Sequence, residues 1–581
     1  MNKSLSAHEK DRTIMNYLFE EHEIGEIKNR IKNLAVSTVV YCSFESRFAK
    51  SGGLAAVTIK ILPYLKEVNK IPSVILMTPF HSNIIDDSRL KSTGCIFDVP
   101  FGSGMVKVQI LEYTSTYNNP AKGSIKEFYL KARGFFNARN RINDPYIYFE
   151  NDISKNDNAI AENALLFCKA VPIALQQLKL QKNIVFHLQD WQTALISLTS
   201  KLAMLNGTLL SCATVQTMHN SFDSFIAWES LAKIIDKKRI QKLSAQFQDG
   251  LTAYQIGLQL IDAPITTVSE NFAKEFTTDI LQTKHFAPHL QQVFKTKGVV
   301  GINNGLFIDF PAEFSNQDSL TIEKINSIKS TNRKKLLKVL TEYNPPQRFG
   351  DLTYKGDSIT SLPDAIPIFV MSGRLDFNQK GFDIFLQSIE RFARDEIKVI
   401  LTPMPVKLSH LDFVRDVVNK CNGNVTLFPI KMVQGFHELQ IGSTYGVMPS
   451  IYEPFGAAIE YMVNGTVNIA RQTGGLVDQI EDHKCGFLYR ENEVFYNREN
   501  INNFFSCKDN LKLRRTNKWV QSMVASLYET LLEAINLYNN HRDEYYRLIN
   551  RGFNKARSFD WSISARKYFA VYEKAKHGIW I

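Results

Sequence analysis

The sequence predicts an α/β protein built from two Rossmann-like domains, each a parallel sheet covered by helices. Three observations lead there. The chain has 581 residues, too many for one hydrophobic core. Short β-branched apolar runs alternate with longer stretches of helical period, as in parallel sheets with helices on their faces. One polar segment rich in Lys, Asn, Ser and Pro, residues 311–363, interrupts that alternation near the middle and reads as a linker or insertion.

Composition bounds the function classes. At 44% hydrophobic, 22% charged and 11% aromatic, the chain is not a mainly disordered protein. No run of about 18 apolar residues occurs, so no membrane span is expected. Residues 1–33 are charged throughout and lack the apolar centre of a secretory signal; they are expected to form a helical or loose extension. Seven scattered cysteines, never spaced as CxxC, argue against a disulfide framework or zinc site and for a reducing, cytoplasmic compartment. The formal charge of +11 raises nucleic-acid binding, but the basic residues are dispersed. The densest runs, Arg333–Lys338 and Lys512–Lys518, lack interleaved aromatics and read as solvated surface charge. No nucleic-acid partner is expected.

In chain order, the first half offers strands at Thr38–Ser43, Val74–Thr78, Ile184–His187, Cys212–Met218 and Pro264–Val268. One short helix near Lys334–Tyr343 is expected inside the polar segment. The second half offers strands at Ile366–Ser372, Ile397–Thr402, Val425–Pro429, Tyr445–Pro449 and Val467–Ala470. Phe382, Phe385, Ile389 and Phe392 mark one apolar helical face after Gly381. Two successive α/β halves suggest a deep cleft between facing domains, with ligands beyond the carboxyl ends of the strands.

The chemistry-bearing residues follow strands. Lys50-Ser51-Gly52-Gly53-Leu54 joins the first strand to a helix. Two glycines there allow close backbone approach, a helix start offers amide donors to an anion, and the lysine adds a charge for phosphate. An ordinary turn with an exposed lysine is the plainer alternative. Ser372-Gly373-Arg374 with Gln379-Lys380-Gly381 puts two cations on one loop, suited to a diphosphate or to a surface salt bridge. Pro449-Ser450-Ile451-Tyr452-Glu453-Pro454-Phe455-Gly456 places a carboxylate after a strand, where it can grip sugar hydroxyls. Thr473-Gly474-Gly475-Leu476 opens a further helix as a second anion nest. No clustered carboxylates suggest a divalent metal, and no paired-carboxylate glycosidase site is evident.

With His187-Leu188-Gln189-Asp190-Trp191-Gln192, Thr217-Met218-His219-Asn220, Thr267-Val268-Ser269 and Asn304-Gly305, these segments resemble, in order, the signature of glycogen and starch synthases. Phe559-Asp560-Trp561-Ser562 through Tyr572 resembles the family's final helix, which crosses back to the first domain. The resemblance covers roughly Thr38 to Tyr572. It implies a GT-B fold and divides the chain into the 1–33 extension, a 34–310 acceptor-side domain, the 311–363 linker, a 364–548 nucleotide-sugar domain and a 549–581 returning helix. It further implies a retaining glucosyltransferase without an obligatory metal or other cofactor, whose partners are a nucleotide sugar (ADP-glucose or UDP-glucose) and an α-glucan. Lys50, His219, Arg374, Lys380 and Glu453 match its catalytic positions. Gly52, Gly53, Asp190, Asn220, Thr473, Gly474 and Gly475 match its donor-binding positions.

The sequence departs from the family's pattern in four places. Ala56 stands where Asp is common, and Gln189 where plant and bacterial synthases usually show His. Arg374 and Lys380 are spaced more like the animal and fungal enzymes. The Glu453–Gly465 stretch is one residue shorter, which leaves Glu460 either a ribose contact or a helix-surface residue. These mixed features leave the donor base open. Phe222 and Phe225 could form an aromatic platform for glucan, with ordinary packing the plainer reading. A different acceptor, or a degenerate glucan-binding scaffold, remains an alternative.

Overall fold

A strand forms at each of the ten expected places, because each is an apolar run that a parallel sheet buries on both faces; the Phe428-Pro429 end of one expected strand lies outside the described residues. The computed structural model describes residues 14–137, 139–141, 144–148, 160–315, 320–342, 361–405, 409–427, 434–507 and 510–578. The chain divides into two units, Met1–Gly305 with Trp561–Ile581, and Leu306–Asp560.

The first unit holds a nine-stranded sheet in the order Val299–Gly301, Ile265–Thr267, Cys212–Met218, Ile184–Gln189, Thr38–Cys42, Ser73–Pro79, Gly123–Ala132, Gly104–Tyr117 and Lys91–Phe101. The first seven run parallel. Gly104–Tyr117 pairs antiparallel with both its neighbours. Thr38–Cys42 is central and lies between Ile184–Gln189 and Ser73–Pro79, so the strand order reverses beside it. Loops after Thr38–Cys42 and Ile184–Gln189 therefore flank a topological switch point, where open α/β sheets bind ligands. The sequence reading missed the three strands spanning Lys91–Ala132. They alternate exposed and buried residues instead of forming continuous apolar runs.

Residues 1–13 of the expected extension lie outside the described residues. Beyond them, Ile14–Leu18 and Glu21–Lys32 are helices of the first unit, with Ile14, Leu18, Ile27 and Ile31 buried. Lys242 Nζ reaches Glu20 at 2.6 Å, and Glu20 and Glu23 form a capping box.

The second unit is a six-stranded parallel sheet in the order Val425–Leu427, Lys398–Pro405, Ile368–Leu375, Tyr445–Met448, Val467–Arg471 and Gly486–Tyr489. Numbered along the chain this is 3-2-1-4-5-6, the dinucleotide-fold order, with its switch point between Ile368–Leu375 and Tyr445–Met448. Phe382, Phe385, Ile389 and Phe392 are buried as the period predicts.

Three sequence expectations need correction. The 311–363 linker is part of the second unit, which begins at Leu306. Its helix runs over 21 residues, Ile322–Glu342, and buries Ile325, Leu336 and Leu340; Tyr343 lies outside the described residues. The return to the first unit begins at Trp561, not at 549. Arg542–Arg557 stays behind because Tyr545, Ile549 and Phe553 are buried, with Phe553 packed on Phe310 and Phe314. In Trp561–Ala575, Tyr572 OH meets His187 Nδ1 at 2.8 Å, and Ala565 accepts from Asn69 Nδ2 at 3.0 Å.

The two basic runs are not wholly solvated. Arg333 is buried and donates to Gly442 O at 2.9 Å and to Thr444 Oγ1 at 2.7 Å. Lys329, one turn earlier, donates to Ile441 O and Ser443 O. These cations satisfy the open carbonyls at the end of the helix Phe436–Gly442. Arg514, fully buried in the other run, pairs with Asp383 at 3.1 Å and donates to Asn378 Oδ1 at 2.6 Å and Phe377 O at 2.8 Å.

Candidate active site

In the second unit a cavity of about 310 Å³ opens at the switch point. Met371, Met404, Phe436 and Met448 form its apolar wall; Lys380, Ser450, Glu453 and Glu460 gather at its polar end. Lys380 Nζ lies 2.6 Å from Glu453 Oε2, which also accepts from Ser450 Oγ at 2.9 Å. Glu453 is only 7% exposed, so the ion pair and hydroxyl fix the carboxylate at the polar end of the cavity. Burial pushes the Glu460 carboxyl up to about 7, with Lys380 pulling it down. Glu460 lines the cavity from the helix Ala458–Val463.

Arg374 does not line that cavity. It is exposed, and its Nη2 donates to Gln379 Oε1 at 2.8 Å. Arg374 and Lys380 thus share a loop, but only Lys380 lines the cavity.

The loops are tied to each other through backbone. Gln379 O accepts from Ile451 N at 2.8 Å, and Arg471 Nη1 donates to Ile451 O at 2.7 Å while its other nitrogens pair with Glu491. Gly381 has φ 68°, and a Cβ there would lie 2.2 Å from Pro449 O.

The expected open nest at Thr473-Gly474-Gly475 is not seen. Gly475 N donates to Glu453 O at 2.9 Å, Leu476 N to Thr473 O and Val477 N to Gly474 O. The glycines instead permit close approach: a Cβ on Gly474, at φ 49°, would stand 1.8 Å from Glu453 O. Gly474→Ala is expected to lose about 1–3 kcal/mol of stability and to displace Glu453; thermal melting and donor KM measure both. An unchanged melt with normal KM would show that this approach is not needed.

In the first unit, the Lys50 loop differs from expectation in the same way. Buried Glu45 turns its Oε2 to the amides of Ser51, Gly52 and Ala55 at 3.1, 2.9 and 3.1 Å, and its Oε1 accepts from Tyr148 OH at 2.8 Å. The chain's own carboxylate thus takes the Ser51, Gly52 and Ala55 amides around the start of the helix Gly53–Val68. Burial raises the Glu45 carboxyl above its ordinary range. Lys50 is exposed. A carboxylate just ahead of a glycine turn is the signal that could have revealed Glu45.

Asp190 follows Ile184–Gln189 at φ 57°, ψ 177°, a conformation uncommon outside glycine. Its Oδ1 accepts from His219 N at 2.7 Å. Burial, with the nearby Glu45 charge adding to it, pushes the Asp190 carboxyl up to about 7. The His219 ring meets Gln189 Oε1 through Nε2 at 2.8 Å, and burial pulls its pKa down to about 3, so the ring is neutral. Asn220 Oδ1 accepts from Phe222 N at 2.8 Å.

Phe222 and Phe225 do not take the packing role expected of them. They are 52% and 57% exposed, with Phe286 edge-on to Phe222 and Gly250 behind Phe225. Among the described residues, no group of three or more His, Cys, Asp or Glu could hold a metal ion, and no helix is long and apolar enough to cross a membrane.

Residues 38–295 match the starch synthase catalytic domain, and residues 358–518 match glycosyl transferases group 1. Glycogen synthase 1 of Geobacter sulfurreducens is 26% identical over 538 residues, 91% of this chain and 94% of that protein. Glycogen synthase of Fervidobacterium nodosum is 27% identical over 551 residues, 91% of this chain and 96% of that one. Among solved structures, the catalytic domain of starch synthase IV from Arabidopsis thaliana, bound to ADP and acarbose, shares the fold. Its TM-score is 0.68 at 19% identity, with 93% of this chain and 99% of that chain covered.

Proposed function

The chain belongs to the glycogen and starch synthase family of GT-B glycosyltransferases, and from that premise we propose that it extends α-1,4-glucan by retaining transfer of glucose from ADP-glucose or UDP-glucose. The observation that carries this reading is the Lys380–Glu453–Glu460 cluster at the switch point of the second unit's sheet. A cation beside two desolvated carboxyls suits a ligand that is part diphosphate and part sugar.

Lys380, with Arg374 on the same loop, holds the charge that grows on the diphosphate as its bond to the anomeric carbon breaks. Glu453 accepts hydroxyls of the glucosyl group. The acceptor hydroxyl attacks from the face the diphosphate leaves, its oxygen bonds to the anomeric carbon, and its proton passes to the departing phosphate. Lys50, Asp190, His219 and Asn220 are assigned to the glucosyl group and the acceptor. The cations take the electrostatic role, so neither a metal nor a prosthetic group is part of the proposal. Seven free cysteines favour a reducing, cytoplasmic setting.

The test is purified protein with ADP-glucose and with UDP-glucose, with and without glycogen, following nucleoside diphosphate release and polymer growth. Growth dependent on one donor is expected. Diphosphate release without growth would reassign the acceptor, and silence with both donors alongside glucan binding would make the chain a scaffold.

A further inference from the structure

We infer that Gln189 is a positioning residue for the transfer reaction, its carboxamide holding the His219 imidazole as the Nε2–H tautomer and leaving Nδ1 as the ring's acceptor. The inference rests on the transferase reading for its kinetic consequence, but its structural content stands alone.

Gln189 ends the strand Ile184–Gln189 and is in register with Thr217 on the neighbouring strand, two residues before His219. The two side chains leave adjacent strand ends at the first unit's switch point. Gln189 is 1% exposed, and its Oε1 lies 2.8 Å from His219 Nε2. With Oε1 as the facing atom, an amide oxygen that only accepts, the ring proton is placed on Nε2. Asp190, next in the chain, takes the His219 backbone N–H and not the ring. The ring is thus oriented from one side by Gln189 and its backbone from the other by Asp190.

The second amide atom is the telling one. Among the described residues, Gln189 Nε2 is buried and has no hydrogen-bond partner. A buried donor left unpaired destabilises the fold, and an apolar side chain of similar length would avoid that cost. Stability alone therefore disfavours glutamine here. The absence of charge matters as well. A neutral amide orients the imidazole without favouring its protonation, whereas a carboxylate would draw it toward imidazolium. Where plant and bacterial family members usually have histidine, an imidazole nitrogen can accept the same proton.

The test compares the full-length wild type with Gln189→Leu and Gln189→His. Gln189→Leu is expected to melt at or above the wild-type temperature, to lose about 10-fold in kcat with donor KM little changed, and to populate the Nδ1–H form of His219 beside Nε2–H in ¹⁵N-histidine spectra. Gln189→His is expected to restore kcat to within a few-fold. Unchanged kcat in Gln189→Leu, or a wild-type His219 protonated at Nδ1, would overturn the assignment. So would a drop in melting temperature parallel to the lost activity, which would make Gln189 a structural residue. If the wild type transfers no glucose, the transferase reading fails, and the spectra and melts still decide whether Gln189 sets the tautomer.

Discussion

Replacing Lys380 by alanine is expected to lower kcat by about 10²–10³-fold, equivalent to about 3–4 kcal/mol of transition-state stabilisation. Its ammonium lines the cavity of the second unit and is held 2.6 Å from Glu453 Oε2. That pair keeps the cation oriented before a donor arrives, so little rearrangement is needed when negative charge develops on the leaving diphosphate. Donor KM should change less than kcat, because the charge being met is larger in the transition state than in the bound sugar nucleotide. Removing Lys380 also strips Glu453 of its ion-pair partner and leaves Ser450 alone beside it, so the melting temperature must be read alongside the kinetics. Arg374→Ala should cost less, since Arg374 is exposed and bonded to Gln379. A Lys380→Ala protein that melts normally and turns over normally would remove the diphosphate role from this lysine.

Strands with continuous apolar runs, such as Thr38–Cys42 and the first four residues of Ile368–Leu375, were legible because burial on both faces leaves an unbroken hydrophobic signature. The Lys91–Ala132 extension was not, because a half-exposed sheet spreads its apolar residues among Lys, Thr and Gly. The motif residues were legible as types but not as partners. Gly52 and Gly475 were read as amides open to phosphate, yet Glu45 and the Glu453 carbonyl take up those amides. Such pairings join residues near in space, and no residue-type pattern announces them. Arg333 and Arg514 teach the same point. Each lies in a basic run that reads as surface, and each is buried because tertiary packing brings carbonyls or a carboxylate to it. Glu460 was undecided from spacing, and the cavity wall it joins decides where it lies.

Asp190→Asn is expected to flatten the dependence of stability on pH and to leave the variant more stable than wild type by up to about 4 kcal/mol at pH 8. The Asp190 carboxyl is raised from the ordinary 3.8 to about 7, with burial the main cause. In the folded protein it is therefore protonated at pH 5, when the unfolded chain has already released that proton. The folded state binds the extra proton between about pH 4 and 7, so this contribution is fully present below 3.8, declines as pH rises, and is gone above 7. Asparagine keeps an oxygen for the His219 amide, which now donates to Asp190 Oδ1 at 2.7 Å, but carries no charge to desolvate. Buried histidines act in the opposite sense: His187 and His219 are pulled down to about 3, so their stabilising contribution is present above 6.5 and is lost as pH falls toward 3. The wild-type curve mixes these slopes; the difference between wild type and Asp190→Asn in urea unfolding, from pH 4.5 to 8.5, isolates the aspartate. Parallel curves would mean that Asp190 ionises in the fold as an exposed carboxylate does. A widening gap toward pH 8, with turnover reduced in the variant, would mean that the chain retains a destabilising buried charge next to His219 because the reaction uses it.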